Sequence, residues 1–570
     1  MKLVFGHSIK IFLSANFISK ISPRLSSLQE MMAEFHYQWL ILASFILSLA
    51  YVLTRKRLHL PPGPKPLPVI GNLLSLGDNP HRSLAALAKT YGPVMTLKLG
   101  QVTTIVVSSP VLAWEVLLKK DQAFCNRSIP DAIHVLRHNE LSMVWSPPNQ
   151  LWKSLRKICS TQLFTSQRFH ANKHLRKGKV QELVDYLTQQ GLTGEPVEVG
   201  HAVFTTVLNS ISNTLFSVDM VGSYSDSAQG FRDLMRGIMV EVGAPNVSDF
   251  FPMLRWLDLQ GNRRRSEKCF LRFHEIFDEL IDKKLKVEEK SGKVVGAAAG
   301  AKDFLDTLIS ILVKEDAMEF DRPALKSFLL DVFVAGVDTT TSTVEWAMAE
   351  LLRNPSSMAR ARAELAKAFD KDNVSDESNI SKLPYLQAVV KETLRLHPPA
   401  PLLLPRSTAS TVDLCGYTIP AGTRVLVNCW AIGRDDTVWT DRPEMFMPER
   451  FLRMDVDYKG HDFELIPFGA GRRICTGLPL AFRMVHLLLA SLLHSFDWKL
   501  PNGQCPEDLD LTDKFGIILA MSVPIRAIPY PDFIYAKLSI SDLTSSNSPT
   551  TYEGNSSNHP NYILLDITNK

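Results

Sequence analysis

The stretch Pro467–Gly477, PFGAGRRICTG, constrains this chain more than any other. It sets a single thiol, Cys475, among Gly469, Gly471 and Gly477, with Phe468 at its start and Arg472 and Arg473 just before the cysteine. A structural cysteine needs no such setting, because it packs on any apolar face as a small hydrophobe. A thiolate that serves as a metal ligand does need it. Such a sulfur requires backbone N–H groups turned toward it, and glycine permits the loop that does this. A buried cysteine in a glycine-rich turn is the competing explanation.

The rest of the cysteine usage sharpens the choice. Seven cysteines (125, 159, 269, 415, 429, 475, 505) are scattered over 570 residues, and no CxxC occurs. That excludes a disulfide framework, and argues against thioredoxin-like, four-cysteine zinc and c-type haem arrangements. A single cysteinate on haem iron, by contrast, donates electron density that favours O–O cleavage, and iron keeps the sulfur deprotonated. Haem propionates need cations, and Arg473 lies two residues from the thiol. With 45% hydrophobic and 21% charged residues the composition is globular, and a formal charge of +4 is too small for nucleic-acid binding by the chain as a whole.

The amino-terminal region predicts a membrane anchor. Residues 37–54 include YQWLILASFILSLAYVL, followed by Arg55, Lys56 and Arg57. The apolar run is short against the ~20 residues of a spanning helix. Trp39 and Tyr51 suit the interface, and the basic cluster puts the following chain on the cytoplasmic side. A cleaved signal peptide or a buried helix would share the apolar run, but no small-residue cleavage site follows. Residues 1–30 carry Lys2, Lys10, Lys20 and Arg24 and no acid before Glu30, a composition shared with transit peptides. Met31 and Met32 would make a normal start, so 1–30 read as an extension or a misplaced start. Residues 58–68, containing LPPGPKPLP, predict a stiff extended hinge.

A single large domain is expected over 69–530. Val94–Ser109 reads as a strand pair turning at Gly100–Gln101. From Leu151 to Phe369 the period is helical, interrupted by the low-complexity loop Ser291–Lys302. Short strands return over Val412–Asn428. Residues 535–570 are rich in Ser, Thr and Asn and predict a disordered tail.

Three further patterns bear on chemistry. VAGVDTTTSTVEW (Val334–Trp346) lies on a helix in which Gly336 costs roughly 1 kcal/mol against alanine. Its threonines can bond back to carbonyls and open a gap in the ladder. Asp338 beside Thr339 could then deliver protons to reduced oxygen. KETLRLHPP places Glu392 and Arg395 three residues apart on one helix face. WKSLRK places Trp152 and Arg156 four apart, which is also what a surface helix with an aromatic anchor shows.

Taken in order, these stretches resemble the cytochrome P450 family. FxxGxRxCxG, filled by Phe468, Gly471, Arg473, Cys475 and Gly477, resembles its haem-thiolate signature. Ala335–Thr339 resembles its oxygen-activation motif position for position. PERF (Pro448–Phe451) resembles the segment whose arginine, here Arg450, joins Glu392 and Arg395 in a structural network. The resemblance implies a mainly α fold with a small β part, haem b with Cys475 as axial ligand, and Asp338 and Thr339 as the proton-delivery pair. It also implies that Trp152, Arg156 and Arg406 hold the propionates with Arg473. It further implies a membrane-bound NADPH-dependent flavin reductase as electron donor, O2 as co-substrate, and the endoplasmic reticulum membrane as location. Lys153, Lys157, Arg472 and Arg483 form either a docking face for that donor or a solvated charged face.

LPPGPKPLPVIGNLLSLGDNPHRSLAALAKTYGPVMTLKLGQVTTIVVSS, ELIPFGAGRRICTGLPLA and DKFGIILAMSVPIRAIP resemble the plant group containing geraniol 8-hydroxylase and related terpenoid oxidases. Cys125, Ser146 and Ile517–Val523 depart from that group's usual pattern. By family position Ser128–Ser146, Ala335 and Thr339, Ala400–Leu403 and Ile517–Leu519, with Ala335, Ala400, Leu402 and Ile518 among them, should line an apolar pocket for a lipophilic substrate. A terpenoid such as geraniol is the first expectation; a diterpene or a small aromatic fits the same pocket. A haem-thiolate isomerase or dehydratase would need no reductase and no Asp338–Thr339 relay, and a haem-binding scaffold would consume no NADPH.

Overall fold

A computed structural model describes residues 59–222, 226–291, 303–313, 320–369 and 377–531, with five helical positions between 36 and 43. The expected amino-terminal extension, most of the expected anchor and the expected tail lie outside the described residues, as does most of the loop Ser291–Lys302. The chain divides into two units, Met1–His59 and Leu60–Lys570. Every stretch with chemical character in the sequence falls within the second unit.

The principal helices of that unit are α1 (Pro80–Tyr91), α2 (Gln150–Ile158), α3 (Lys173–Thr193), α4 (Val199–Phe216), α5 (Asp226–Gly243), α6 (Asn262–Ser291), α7 (Arg322–Arg353), α8 (Pro355–Ala368), α9 (Pro384–Leu396) and α10 (Leu478–Ser495). Its two larger sheets are built from β1 (Val94–Leu99), β2 (Val102–Val107), β3 (Asn126–Arg127), β4 (Val197–Glu198), β5 (Arg406–Ser407), β6 (Arg424–Val427), β7 (Phe496–Lys499) and β8 (Arg526–Pro531). One is five-stranded with the order β1-β2-β6-β5-β3, and the other is three-stranded with the order β4-β8-β7.

The centre of the unit is α7, which is buried on nearly every side, with Phe328, Phe333, Val337, Val344 and Trp346 all 0% exposed. A helix apolar all round belongs in a core. Its start is fixed locally, because Asp321 accepts from the Ala324 N–H at 2.8 Å and Pro323 occupies the first turn, where its missing donor costs nothing. α4 and α10 pack along it. α10 is also long and apolar enough to cross a membrane, the only such helix among the described residues, but more than half of it is buried in this core.

The strand pair expected over Val94–Ser109 is an antiparallel hairpin with Leu99 opposite Val102. The proline segment is extended and lies along β1, where the Thr96 N–H donates to the Pro62 carbonyl at 2.8 Å. One local expectation fails. α7 continues as unbroken α-helix through Val334–Trp346. The hydroxyls of Thr339, Thr340 and Thr343 do bond back, to the carbonyls of Ala335, Gly336 and Thr339 at 2.7–2.8 Å. The ladder stays closed all the same. Gly336 has a packing reason too, since a Cβ there would come within 2.8 Å of Ile211 Cδ1.

Candidate active site

A cavity of about 340 Å3 lies between α7 and the cysteine loop. Of the seven cysteines only Cys475 lines it. The Cys475 N–H donates to the Phe468 carbonyl at 3.0 Å, closing the loop. Gly471 is indispensable to that path. Its φ is +67°, and a Cβ would sit 1.9 Å from the Leu117 carbonyl oxygen, so the loop lies directly on neighbouring backbone. Leaving the loop, the chain enters α10, and the Gly477 and Leu478 N–H groups lie beside the Cys475 sulfur and favour its charged form. The sulfur therefore sits at a helix N-terminus, where unpaired donors and the helix dipole favour an anion. Burial pushes its thiol up; those N–H groups and the Arg156 guanidinium pull it back down.

Arg127, Arg156, Arg406 and Arg473 all line the same cavity. Each spends donors on backbone carbonyls: Arg127 on Leu404 at 2.9 Å, Arg156 on Ile474 at 3.0 Å, Arg406 on Phe124 at 3.4 Å, and Arg473 on Cys125 at 2.8 Å and Ser146 at 2.6 Å. None forms an ion pair with a carboxylate among the described residues. Arg127 and Arg406 are direct partners across β3 and β5, a like-charge pairing that is unfavourable by itself. Desolvation, joined by the other guanidiniums, holds Arg127 well below its ordinary range, and desolvation and Arg406 bring Arg473 down to about 10. Four cations, Arg406 and Arg473 buried and Arg127 and Arg156 half-buried, beside a thiol at a helix N-terminus call for a ligand with carboxylates on one edge and a metal at its centre. Haem fits that donor set.

Trp152 takes a different part from the one expected of it. It is not among the cavity-lining residues, and its indole N–H donates to the Met143 carbonyl at 3.1 Å. Its ring is a platform: the Arg473 guanidinium lies 4.7 Å from the ring centroid and that of Arg156 5.2 Å. It positions two cavity cations rather than reaching the cavity.

The opposite wall is apolar. Ala335, Thr339, Ala400 and Ile518 line it, and Phe468 lines the cavity from the cysteine loop. Leu402 is a correction. It is 8% exposed and packs with Met95, Leu97 and Leu426 in a separate core cluster, while Leu403 and Leu404 reach the cavity instead. The reason is a turn. Leu403 has a φ of +49° and donates its N–H to Ala400 at 2.9 Å, which breaks the register that sequence spacing assumes. The segment carrying Ile517 and Ile518 is held over the cavity by α7, because Ser342 Oγ and Trp346 Nε1 both donate to the Leu519 carbonyl at 2.9 and 3.2 Å.

Asp338 does not line the cavity. It is half-buried, and its carboxyl is pushed up to about 6 by desolvation, against the opposing pull of Arg232 and Arg236. Sequence reasoning missed Arg127, and it missed Phe164, Ile238, Met239 and Phe270, which complete the wall. It also missed Asp331, two turns before Thr339. That carboxylate accepts from Ser142 Oγ at 2.8 Å and from the Met143 N–H at 2.7 Å, fixing the segment that roofs the cavity. No local motif marks any of these; long-range packing brings them in.

Glu392, Arg395 and Arg450 form one buried network. Arg395 bonds both carboxylate oxygens of Glu392 at 2.7 and 2.8 Å, and Arg450 and the Met447 N–H add bonds of 3.0 and 2.7 Å. Arg395 also donates to the carbonyls of Gly433, Pro443 and Met445. The network therefore pins residues 433–450 to α9. Of the four basic residues expected on the face behind the cysteine, Arg472 pairs with Asp121 at 2.8 Å and Arg483 covers the Phe169 ring at 4.1 Å. Lys153 and Lys157 are exposed.

A helical fold in which a lone cysteine faces α7 across a cavity edged by buried arginines defines a thiolate-ligated haem protein. The cytochrome P450 family model matches residues 61–525, and the chain belongs to that family. It is 52% identical to a geraniol 8-hydroxylase of Swertia mussotii over 84% of this chain and 95% of the relative. It is 50% identical to a geraniol 8-hydroxylase of Catharanthus roseus, with the same coverage. A zebrafish cytochrome P450 solved with progesterone superposes at a TM-score of 0.67 and 28% identity, covering 79% of this chain and 99% of that one. The chain is thus a haem-dependent monooxygenase with cysteine-thiolate ligation, which takes electrons from a redox partner and uses O2 as the oxidant of an organic substrate.

Proposed function

We propose that this chain hydroxylates a terpenoid alcohol of the size of geraniol, with Cys475 as the axial thiolate. The observation that carries the reading is the cavity itself: an apolar wall of Ala335, Ala400, Leu403 and Ile518 opposite a thiol and four arginines that have no carboxylate partner among the described residues. Two geraniol 8-hydroxylases at 50–52% identity support the substrate class. When bound, haem b supplies the redox chemistry that activates O2.

The chain's own residues do the rest. Arg127, Arg156, Arg406 and Arg473 hold the propionates, and Trp152 orients two of them. Apolar side chains hold the substrate by shape and keep water out. Thr339 presents its hydroxyl at the cavity, and the neighbouring Asp338, with a carboxyl near 6, can both give and recover a proton near neutral pH. A reductase-independent isomerase would have no use for that pair.

An NADPH-dependent flavin reductase is the electron donor, with exposed Lys153 and Lys157 available to it. The domain plan is an anchor over 37–54, a proline segment over 58–68 and a catalytic domain over 69–530, on the cytoplasmic side of the endoplasmic reticulum membrane. A surface patch supports membrane contact. Val69 is 80%, Met253 66% and Trp256 75% exposed. The turn Gly100–Gln101 ties their segments together through bonds from Gly100 N–H to Ile70 and Gln101 N–H to Phe250 at 3.1 and 2.8 Å. Large exposed apolar side chains gathered this way mark an interaction surface.

The test is turnover. Membranes carrying the chain and a plant reductase are given NADPH and geraniol, and products are identified by mass spectrometry. NADPH-dependent 8-hydroxygeraniol is the expected product. No product, with an intact carbon monoxide spectrum, would move the substrate to diterpenes or small aromatics.

A further inference from the structure

Two segments that wall the cavity are clamped to each other and to α7 at one residue, Leu519, which does not itself line the cavity. Its N–H donates to the Pro399 carbonyl at 2.8 Å. Its carbonyl accepts from Ser342 Oγ at 2.9 Å and from Trp346 Nε1 at 3.2 Å. Pro399 and Ala400 stand on one side of this clamp, Ile517 and Ile518 on the other, and all four line the cavity. The second pair has little else to hold it. Asp513 pairs with Met521 and Lys514 with Ala520 in a short hairpin, but residues 515–518 at its tip make no backbone hydrogen bond among the described residues. The foot of the hairpin is pinned separately, where Arg82 and His81 of α1 meet the Asp513 carboxylate at 2.8 and 3.2 Å.

The donors on the Leu519 carbonyl are themselves fixed. Ser342 and Trp346 lie one turn apart on α7, hence on one face, and are 7% and 0% exposed. The Trp346 ring lies flat on the His397 imidazole, with centroids 3.9 Å apart and planes 6° from parallel. His397 in turn bonds the Glu350 carboxylate, a further turn along α7, at 2.7 Å. His397 also shortly precedes Pro399 in the chain. The contacts therefore close a ring, from α7 to Leu519, on to Pro399, and back through His397 to α7. Thr339 belongs to the same helix, just before Ser342. One rigid helix thus sets where Ile518 stands relative to the Thr339 hydroxyl.

We infer that Ser342 and Trp346, braced by His397, are positioning residues for the hydroxylation: without lining the cavity, they fix Ile517 and Ile518 and so decide which carbon of the substrate is oxidised. The choice of probe rests on the terpenoid reading. Geraniol ends in two methyl groups on one carbon, and 8-hydroxylation oxidises one of them. Their C–H bonds are alike, so placement in the cavity makes the choice.

The experiment joins two readouts on the full-length haem-loaded chain. Membranes with a plant reductase, NADPH and geraniol give the share of product oxidised at the other methyl group. Hydrogen–deuterium exchange without substrate gives the opening of residues 513–521. Trp346→Phe keeps a ring on His397 and removes one donor; Ser342→Ala removes the other with little change of volume. Each should raise the share of the second isomer by about 3–10-fold, the loss of one hydrogen bond, and speed exchange over 513–521. Exchange over 467–477 and the carbon monoxide spectrum should stay as in the wild type. His397→Gln, which keeps a partner for Glu350, should act in the same direction. An isomer share unmoved in both Trp346→Phe and Ser342→Ala would overturn the inference, whatever their stability. A wild type that makes no product from geraniol would remove the terpenoid reading and leave exchange to decide: faster over 513–521 in Ser342→Ala supports the positioning role, and an unchanged rate overturns it.

Discussion

The two sides of the cavity are built on different terms. On the cysteine side the chain runs backbone against backbone, as at Gly471 and Leu117, and the network that pins residues 433–450 to α9 has its carboxylate saturated, Glu392 accepting four hydrogen bonds from Arg395, Arg450 and Met447. On the substrate side apolar side chains from α5, α6, α7 and the segments around 400–404 and 517–518 meet across open space. A methylene added on the first side has nowhere to go. On the second it changes which molecule fits. The fold thus holds the reactive centre fixed while leaving the substrate choice adjustable.

The comparison can be broken most severely at Gly471. Gly471→Ala adds a Cβ that cannot coexist with the Leu117 carbonyl, in a conformation that strains any side chain. Expression should give apoprotein or aggregate, seen as loss of the haem absorbance per mole of chain. Normal haem content would show that the loop is less confined than its geometry requires.

Glu392→Gln comes next. It leaves two buried guanidiniums without their carboxylate, a loss of about 3–5 kcal/mol, measurable as a lowered midpoint in denaturant at constant slope. An unchanged midpoint would mean that the backbone carbonyls around Arg395 and Arg450 suffice.

Thr339→Ala crosses between the two sides. It should retain haem and substrate binding while NADPH oxidation releases hydrogen peroxide in place of product; unaltered coupling would remove the hydroxyl from proton delivery. Its neighbour gives a pH signature. The Asp338 carboxyl is raised to about 6 in the folded chain, above its unfolded value near 3.9. The folded state therefore binds the extra proton between those values. The stability that this confers is complete below about 4 and is lost as pH rises through about 6. Asp338→Asn should flatten that segment of the stability curve, and a curve superposing on the wild type would place the titration elsewhere.

The smallest effect belongs to the substrate wall. Ile518→Val removes one methylene from the cavity and should shift kcat/KM between two terpenoid alcohols by about 10–200-fold at most, with an unchanged carbon monoxide spectrum. A lost spectrum would mean that the two sides are mechanically coupled.

The same division explains what could be read from sequence. Phe468–Gly477, Trp152 with Arg156, and Glu392 with Arg395 are local patterns, and local spacing carries them whatever the rest of the chain does. Arg127 stands alone in its segment, and only the pairing of β3 with β5 sets it against Arg406. Leu402 drops out of the expected wall because its neighbour Leu403 adopts a positive φ. Phe164, Ile238 and Phe270 come from segments far apart in the chain, so no window of sequence contains the wall they form. The anchor and the tail are read from composition alone.

The central claim is that Cys475 is the haem thiolate, and the ferrous carbon monoxide difference spectrum of the wild type beside Cys475→Ala tests it most directly. The wild type should give the red-shifted thiolate band and the variant should lose it. A variant that keeps that band would assign the iron to another ligand and contradict the account.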